Sequence, residues 1–120
     1  MVARVSQLRF TTGADREVMV INIQLERPIT PAELEELGRQ VVAAATAARE
    51  GQLVALSGRM PVWAYSYLTH AVAHLVPALG VFDPKIGIVV VASHTPKWVT
   101  GETINVPEEV KARLLQSPPK

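Results

Sequence analysis

The sequence predicts a single α/β domain built on a mixed, partly parallel sheet. Three observations lead there. Strand-like and helix-like stretches alternate through the middle of the chain as strand, helix, strand, helix, strand. Two of the strand-like runs, "LVALS" and "IGIVVVAS", are almost continuously apolar, as strands buried on both faces are. The segments "TTGADR" and "FDPKIG" carry turn residues suited to doubling a strand back on itself, which adds antiparallel pairs.

Taken in order, "ARVSQLRF" and "EVMVINIQL" partly alternate apolar and polar residues and are expected to pair as an antiparallel hairpin across "TTGADR". "TPAELEELGRQVVAAATAARE" reads as the first helix. Thr30 is a natural N-cap, Pro31 fits the first helical position and Glu33 completes a capping box. Leu34, Leu37, Val41, Val42 and Ala45 form its apolar face, and Gly51 is expected to end it. "LVALS" follows as a buried strand, and Pro61 opens a second helix, "PVWAYSYLTHAVAHL". "ALGVFD" is a strand and Asp83-Pro84-Lys85 a turn; "IGIVVVAS" is apolar enough to be expected at the centre of the sheet. "TINV" is a short strand, a helix is expected from about 107 to 115, and residues 115–120 are expected to fray.

Composition bounds the function. A chain of 120 residues with 48% hydrophobic and 19% charged residues is globular and long enough for a real core. There are no cysteines, which excludes disulfides and thiolate zinc sites. Twelve Lys and Arg against 11 Asp and Glu leave a net charge of +1, without the basic excess of a protein that tracks a long nucleic-acid duplex. A small anionic ligand held by a few placed donors suits that balance. The N-terminal residues lack the apolar core of a secretory signal and no apolar run is long enough to span a bilayer, so a soluble, cytoplasmic protein with no membrane partner is expected.

In open α/β sheets, ligands bind beyond the carboxyl ends of the strands. Three such ends carry polar groups here: Ser57-Gly58-Arg59, Asp83 and Ser93-His94. The first lies between a buried strand and a helix N-terminus, where unpaired N–H groups and the helix dipole favour an anion and Arg59 can grip a phosphate. It also reads as an ordinary connecting turn with a solvated arginine, and it matches neither GxxxxGK[ST] nor GxGxxG. His70 and His74, four apart on one helix, share a face and either ligate a metal together or stand as two surface histidines; HEXXH is absent. Asp83 before Pro84 is ordinary turn chemistry, or a carboxylate that holds a metal or orients a histidine base. Lys85 is placed to neutralise a phosphate. All three histidines are expected near one edge of the sheet. Trp63, Tyr65 and Tyr67 read as packing residues, and neither a cysteine nucleophile nor a G-x-S-x-G elbow is present.

Together, "LSGRMPVWAYSYLTHAVAH", "VFDPKIG" and "VVVASH" resemble the CRISPR-associated ring nuclease family, in its small stand-alone "Csx-three" type. The match covers about residues 54 to 95, with "ERPITPAEL" matching more loosely. The resemblance implies a Rossmann-like, CARF-related fold, a homodimer, and binding of cyclic tetra-adenylate, the type III CRISPR second messenger. It further implies manganese-assisted cleavage of that ring to linear di-adenylate, with the ring sandwiched between dimers that stack into filaments. Carried over by position, Ser57, Gly58 and Arg59 would bind the ligand, with Ser93 and His94 nearby. His74 and Asp83 would be the catalytic or metal-binding pair, with His70 as a further metal ligand, and Arg59 or Lys85 would meet transition-state charge. Lys85 stands where the family pattern carries arginine, and the spacing from His70 to Asp83 is one residue longer. A binder that sequesters the ring without cutting it is the alternative.

Overall fold

The computed structural model describes residues 2–13 and 15–116. Most of the tail expected to fray, residues 117–120, lies outside them. Strand β1 (Ala3–Thr11) pairs antiparallel with β2 (Glu17–Leu25), the expected hairpin. A 3₁₀ turn (Pro31–Glu33) leads into helix α1 (Leu34–Ala45), then strand β3 (Leu53–Ser57), helix α2 (Val62–Val72) and strand β4 (Ala78–Asp83). Strand β5 (Gly87–Ser93), a two-residue β6 (Thr103–Ile104) and helix α3 (Glu108–Leu114) complete the order.

The six strands lie side by side in chain order. β2, β3 and β4 are parallel, while β1 and β5 run against them, so the sheet is mixed. Because the parallel strands are also consecutive, both crossover helices cover the same face. Leu37, Val41 and Ala45 of α1 and Ala64, Leu68 and Val72 of α2 pack on Met19, Ile21, Val54, Leu56 and Leu79. The other face carries Val18, Val20, Leu53, Ala55, Ile88 and Val90 under Trp98, Val110 and Leu114. The period-two alternation of side chains sends successive residues of one strand into the two cores. That is why Val18–Ile23 of β2 is buried throughout. No helix among the described residues is long and apolar enough to cross a membrane.

Three expectations are corrected. The apolar run of β5 is fifth of six strands rather than central, with Val91 41% exposed. Helix α1 stops at Ala45 with Thr46 as C-cap, and Gly51, at φ 74°, instead shapes the turn into β3. Helix α2 ends at Val72, capped by Ala73, so His74 stands beyond it and not on one helix face with His70. The start of the first helix follows expectation. The Glu33 carboxylate accepts the Thr30 N–H at 2.9 Å, and the Glu33 N–H donates to the Thr30 carbonyl at 2.9 Å.

The 94–102 segment is tied down at the amino ends of the parallel strands. Trp98 is buried and its indole N–H donates to the Gly51 carbonyl at 2.8 Å. The Arg16 guanidinium lies 4.1 Å from the Trp98 ring centroid and pairs in a two-pronged way with Glu102, at 3.2 and 2.6 Å. The hydrogen bond from Arg16, ahead of its charge, holds the Glu102 carboxyl below the usual range. A carboxyl lowered by folding stabilises the fold above its unfolded pKa, about 4.3, and loses that contribution as pH falls through the lower folded value. Glu102→Gln is therefore expected to lower the melting temperature at pH 7. The gap to the unsubstituted protein should narrow toward pH 3 in parallel thermal melts; a gap independent of pH would remove the carboxylate as its source.

Candidate functional site

The sheet's topology decides where each marked strand end falls. β3 and β4 are parallel, so Ser57-Gly58-Arg59 and Asp83 lie at one edge, their carboxyl edge. β5 runs back, so Ser93 and His94 lie at the opposite edge. His74 precedes β4 and joins them there. Its ring stacks on His94, with centroids 5.2 Å apart and planes 29° from parallel. His74 and His94 meet at one edge, but it is the edge away from Arg59 and Asp83. From Ala78 to Asp83 alone, β4 adds a run of roughly 17 Å between His74 and Asp83 at the usual rise per residue.

At the carboxyl edge, Ser57 is buried at the end of β3 while Arg59 is exposed. Gly58 is required by packing: a Cβ there would collide with the Ile23 backbone carbonyl of the neighbouring strand. Its own carbonyl accepts a hydrogen bond from the Tyr65 hydroxyl, one turn into α2, and burial pushes the Tyr65 phenol up. Tyr65, expected only to pack, thus also fixes the loop that carries Arg59. Nothing in its spacing distinguishes it from Tyr67, whose ring packs against Gly38 on α1. Removing the hydroxyl in Tyr65→Phe is expected to cost about 0.5–1.5 kcal/mol of stability in a denaturant titration; an unchanged midpoint would mean the loop holds without it.

Asp83 serves the hairpin turn. Its Oδ1 accepts the N–H groups of Lys85 at 2.8 Å and Ile86 at 3.2 Å, leaving Oδ2 unused by the turn. Gly87 follows at φ 108°, where a Cβ would also collide with the Ile104 carbonyl. Ser57, Gly58, Arg59, Tyr65 and Asp83 line one groove of about 300 Å³, closed on one side by Leu114 and Leu115. Lys85 lines a separate depression with Asn105, Glu108 and Lys111. A second groove of about 230 Å³ adjoins the first at Gly58 and Arg59 and continues along Asn22, Gln24 and Leu25. Asn22 and Gln24 were not singled out by pattern, although Asn22 is the one polar residue within the apolar run "VMVINI".

At the opposite edge, the His94 N–H donates to the Pro77 carbonyl and its ring Nε2 lies 2.9 Å from the Ala73 carbonyl. That contact needs a proton on Nε2 and leaves Nδ1 free. The Ser93 hydroxyl is committed to the turn, donating to the Thr95 carbonyl at 2.7 Å. His94 and Lys97 border a third groove of about 490 Å³ with Glu50, Pro77 and Pro96. His70 is exposed on α2. Among the described residues no three or more His, Asp and Glu side chains gather as a metal site. His70, His74 and Asp83 of one chain therefore do not fit a manganese ion.

The chain thus has two polar ends, one offering a guanidinium and a carboxylate, the other two stacked imidazoles and a lysine. An uncharacterised protein of Aquifex aeolicus (strain VF5) is 34% identical over 89 residues, 73% of this chain and 78% of that protein. A family model described as "CRISPR-associated protein (Cas_csx3)" matches residues 22–105, a span that holds both ends. The chain belongs to the Cas_csx3 family of CRISPR-associated proteins.

Proposed function

We propose that this CRISPR-associated protein binds cyclic tetra-adenylate and cuts it to linear di-adenylate at sites shared between stacked copies. The observation that carries the reading is the division of chemistry between opposite ends of one chain. Arg59, Ser57 and Asp83 sit at one edge of the sheet, and His74 and His94 at the other. Grooves of about 300 and 230 Å³ suit a phosphate or a nucleoside, and a ring of four nucleotides needs walls from more than one copy. A homodimer whose copies stack head to tail would face the arginine end of one with the histidine end of the next.

Ring opening needs a base at the 2′-hydroxyl and an acid at the leaving 5′-oxygen. The 2′-oxygen attacks its neighbouring phosphorus, the P–O5′ bond breaks, and a 2′,3′-cyclic phosphate and a 5′-hydroxyl result. An imidazole can take or give either proton near neutral pH, which suits His74 and His94. Arg59 would oppose the charge that grows on the phosphoryl oxygens, and Asp83 Oδ2 would orient an imidazole brought to it by the adjoining copy. Lys85, outside the groove, would contribute only at longer range. The donors of one chain do not fit a metal ion, so any manganese would rest on donors of two copies.

The same separation favours a second reading. A copy that does not stack would hold the ring at its arginine end and sequester it uncut. Incubation with cyclic tetra-adenylate, with and without Mn²⁺, followed by chromatography, decides between them. Multiple-turnover appearance of linear di-adenylate, abolished by His74→Ala, is expected. Intact ring bound in stoichiometric amount would leave sequestration, and no binding would remove both readings.

A further inference from the structure

We propose that the groove along the carboxyl end of β2 is a nucleobase subsite in which the Asn22 side-chain amide reads an adenine edge, an inference that rests on the ring-binding reading above. Along β2 the side chains of Val18, Val20 and Asn22 share the face that α3 covers. Asn22 is 6% exposed, and its register partner on β3, Ser57, is 2% exposed. Among the described residues neither the Asn22 amide nor the Ser57 hydroxyl makes a hydrogen bond, and neither is sealed from the grooves they line. The Asn22 amide thus opens onto the groove with no described residue as its partner. An apolar residue at position 22 would continue the run on either side of it. The amide is therefore kept for something that enters the groove.

The shape of the groove specifies what enters. Leu25 and Leu114 give apolar walls for the flat faces of a ring, and its volume of about 230 Å³ suits one base. A carboxamide offers one acceptor and paired donors side by side, which complements the adenine 6-amino group and N7. Guanine presents two acceptors on the same edge and would leave the amide oxygen unpaired. Gly58 and Arg59 are common to this groove and the adjoining one with Ser57 and Asp83. A base seated against Asn22 would thus have its own phosphate within the field of Arg59. Gln24, also lining the groove, adds a second amide at its rim.

Asn22→Leu keeps size and removes the amide. Calorimetric binding of cyclic tetra-adenylate and of its inosine counterpart, which carries a keto oxygen at C6, tests the assignment. The unsubstituted protein is expected to prefer the adenine ring by about tenfold or more, and Asn22→Leu to lose that preference by weakening the adenine ring alone. Arg59→Ala should weaken both rings alike. The melting temperature of ligand-free Asn22→Leu should hold, because the amide bonds no described residue and its removal breaks no contact. Undiminished preference in Asn22→Leu overturns the subsite, and a lowered melting temperature overturns it by making Asn22 a structural residue. If the unsubstituted protein binds neither ring, the ring-binding reading fails and this inference falls with it; binding without discrimination between the rings sinks this inference alone.

Discussion

Mixing His74→Ala protein with Arg59→Ala protein is expected to restore ring cleavage that neither variant performs alone. Loss of a general acid or base costs about 10²–10⁴ in rate, and loss of a charge-stabilising donor about 10²–10³. Each variant by itself should therefore be nearly inactive. The His74→Ala copy keeps an intact arginine end, and the Arg59→Ala copy keeps an intact histidine end. Because β4 holds those ends apart in every copy, a complete site would arise only where the two kinds of chain meet. Turnover measured against protein concentration should also rise more steeply than linearly, since the site itself is assembled. A mixture no more active than the sum of its parts would sink the shared-site reading, while leaving sequestration by the arginine end intact.

Gly58→Ala is expected to lower stability by about 1–3 kcal/mol, because overpacking here meets backbone rather than a yielding side chain. The added methyl collides with the Ile23 carbonyl oxygen, so the loop after β3 has to move away from β2. That loop carries Arg59 and receives the Tyr65 hydroxyl, so the same shift disturbs both grooves. Denaturant midpoints and cyclic tetra-adenylate affinity should fall together. An alanine variant as stable as the original protein would show that the strand and loop separate without cost, and that Gly58 is present for ligand approach alone.

Much of the architecture was legible because local signals agreed with the fold. "LVALS" and "ALGVFD" are short apolar runs bounded by turn residues, and both became neighbouring parallel strands. Thr30, Pro31 and Glu33 marked a helix start that the structure realises within one turn. Places where the reading failed share a physical cause. "IGIVVVAS" looked central because apolar content reports burial, not position in a sheet, and an edge-proximal strand can be just as apolar. "AVAHL" continued the helical pattern, yet the chain turned after Val72 to reach Pro77 and β4.

The candidate site divides in the same way. Residue types and their order marked Ser57, Gly58, Arg59, Asp83, His74 and His94 as candidates, and the family match over residues 22–105 agrees with the likeness read from those motifs. Tertiary structure decided which of them can meet. Strand direction is set by pairing with a neighbour, and the tight Asp83–Gly87 turn reversed β5, sending Ser93 and His94 to the far edge. Register did the rest, setting Asn22 beside Ser57 although 35 positions of chain separate them. The sequence by itself determined the elements and the residue types at their ends; only the direction and pairing of the strands, fixed by contacts far apart in the chain, decided that Arg59 and Asp83 lie at one edge and His74 and His94 at the other.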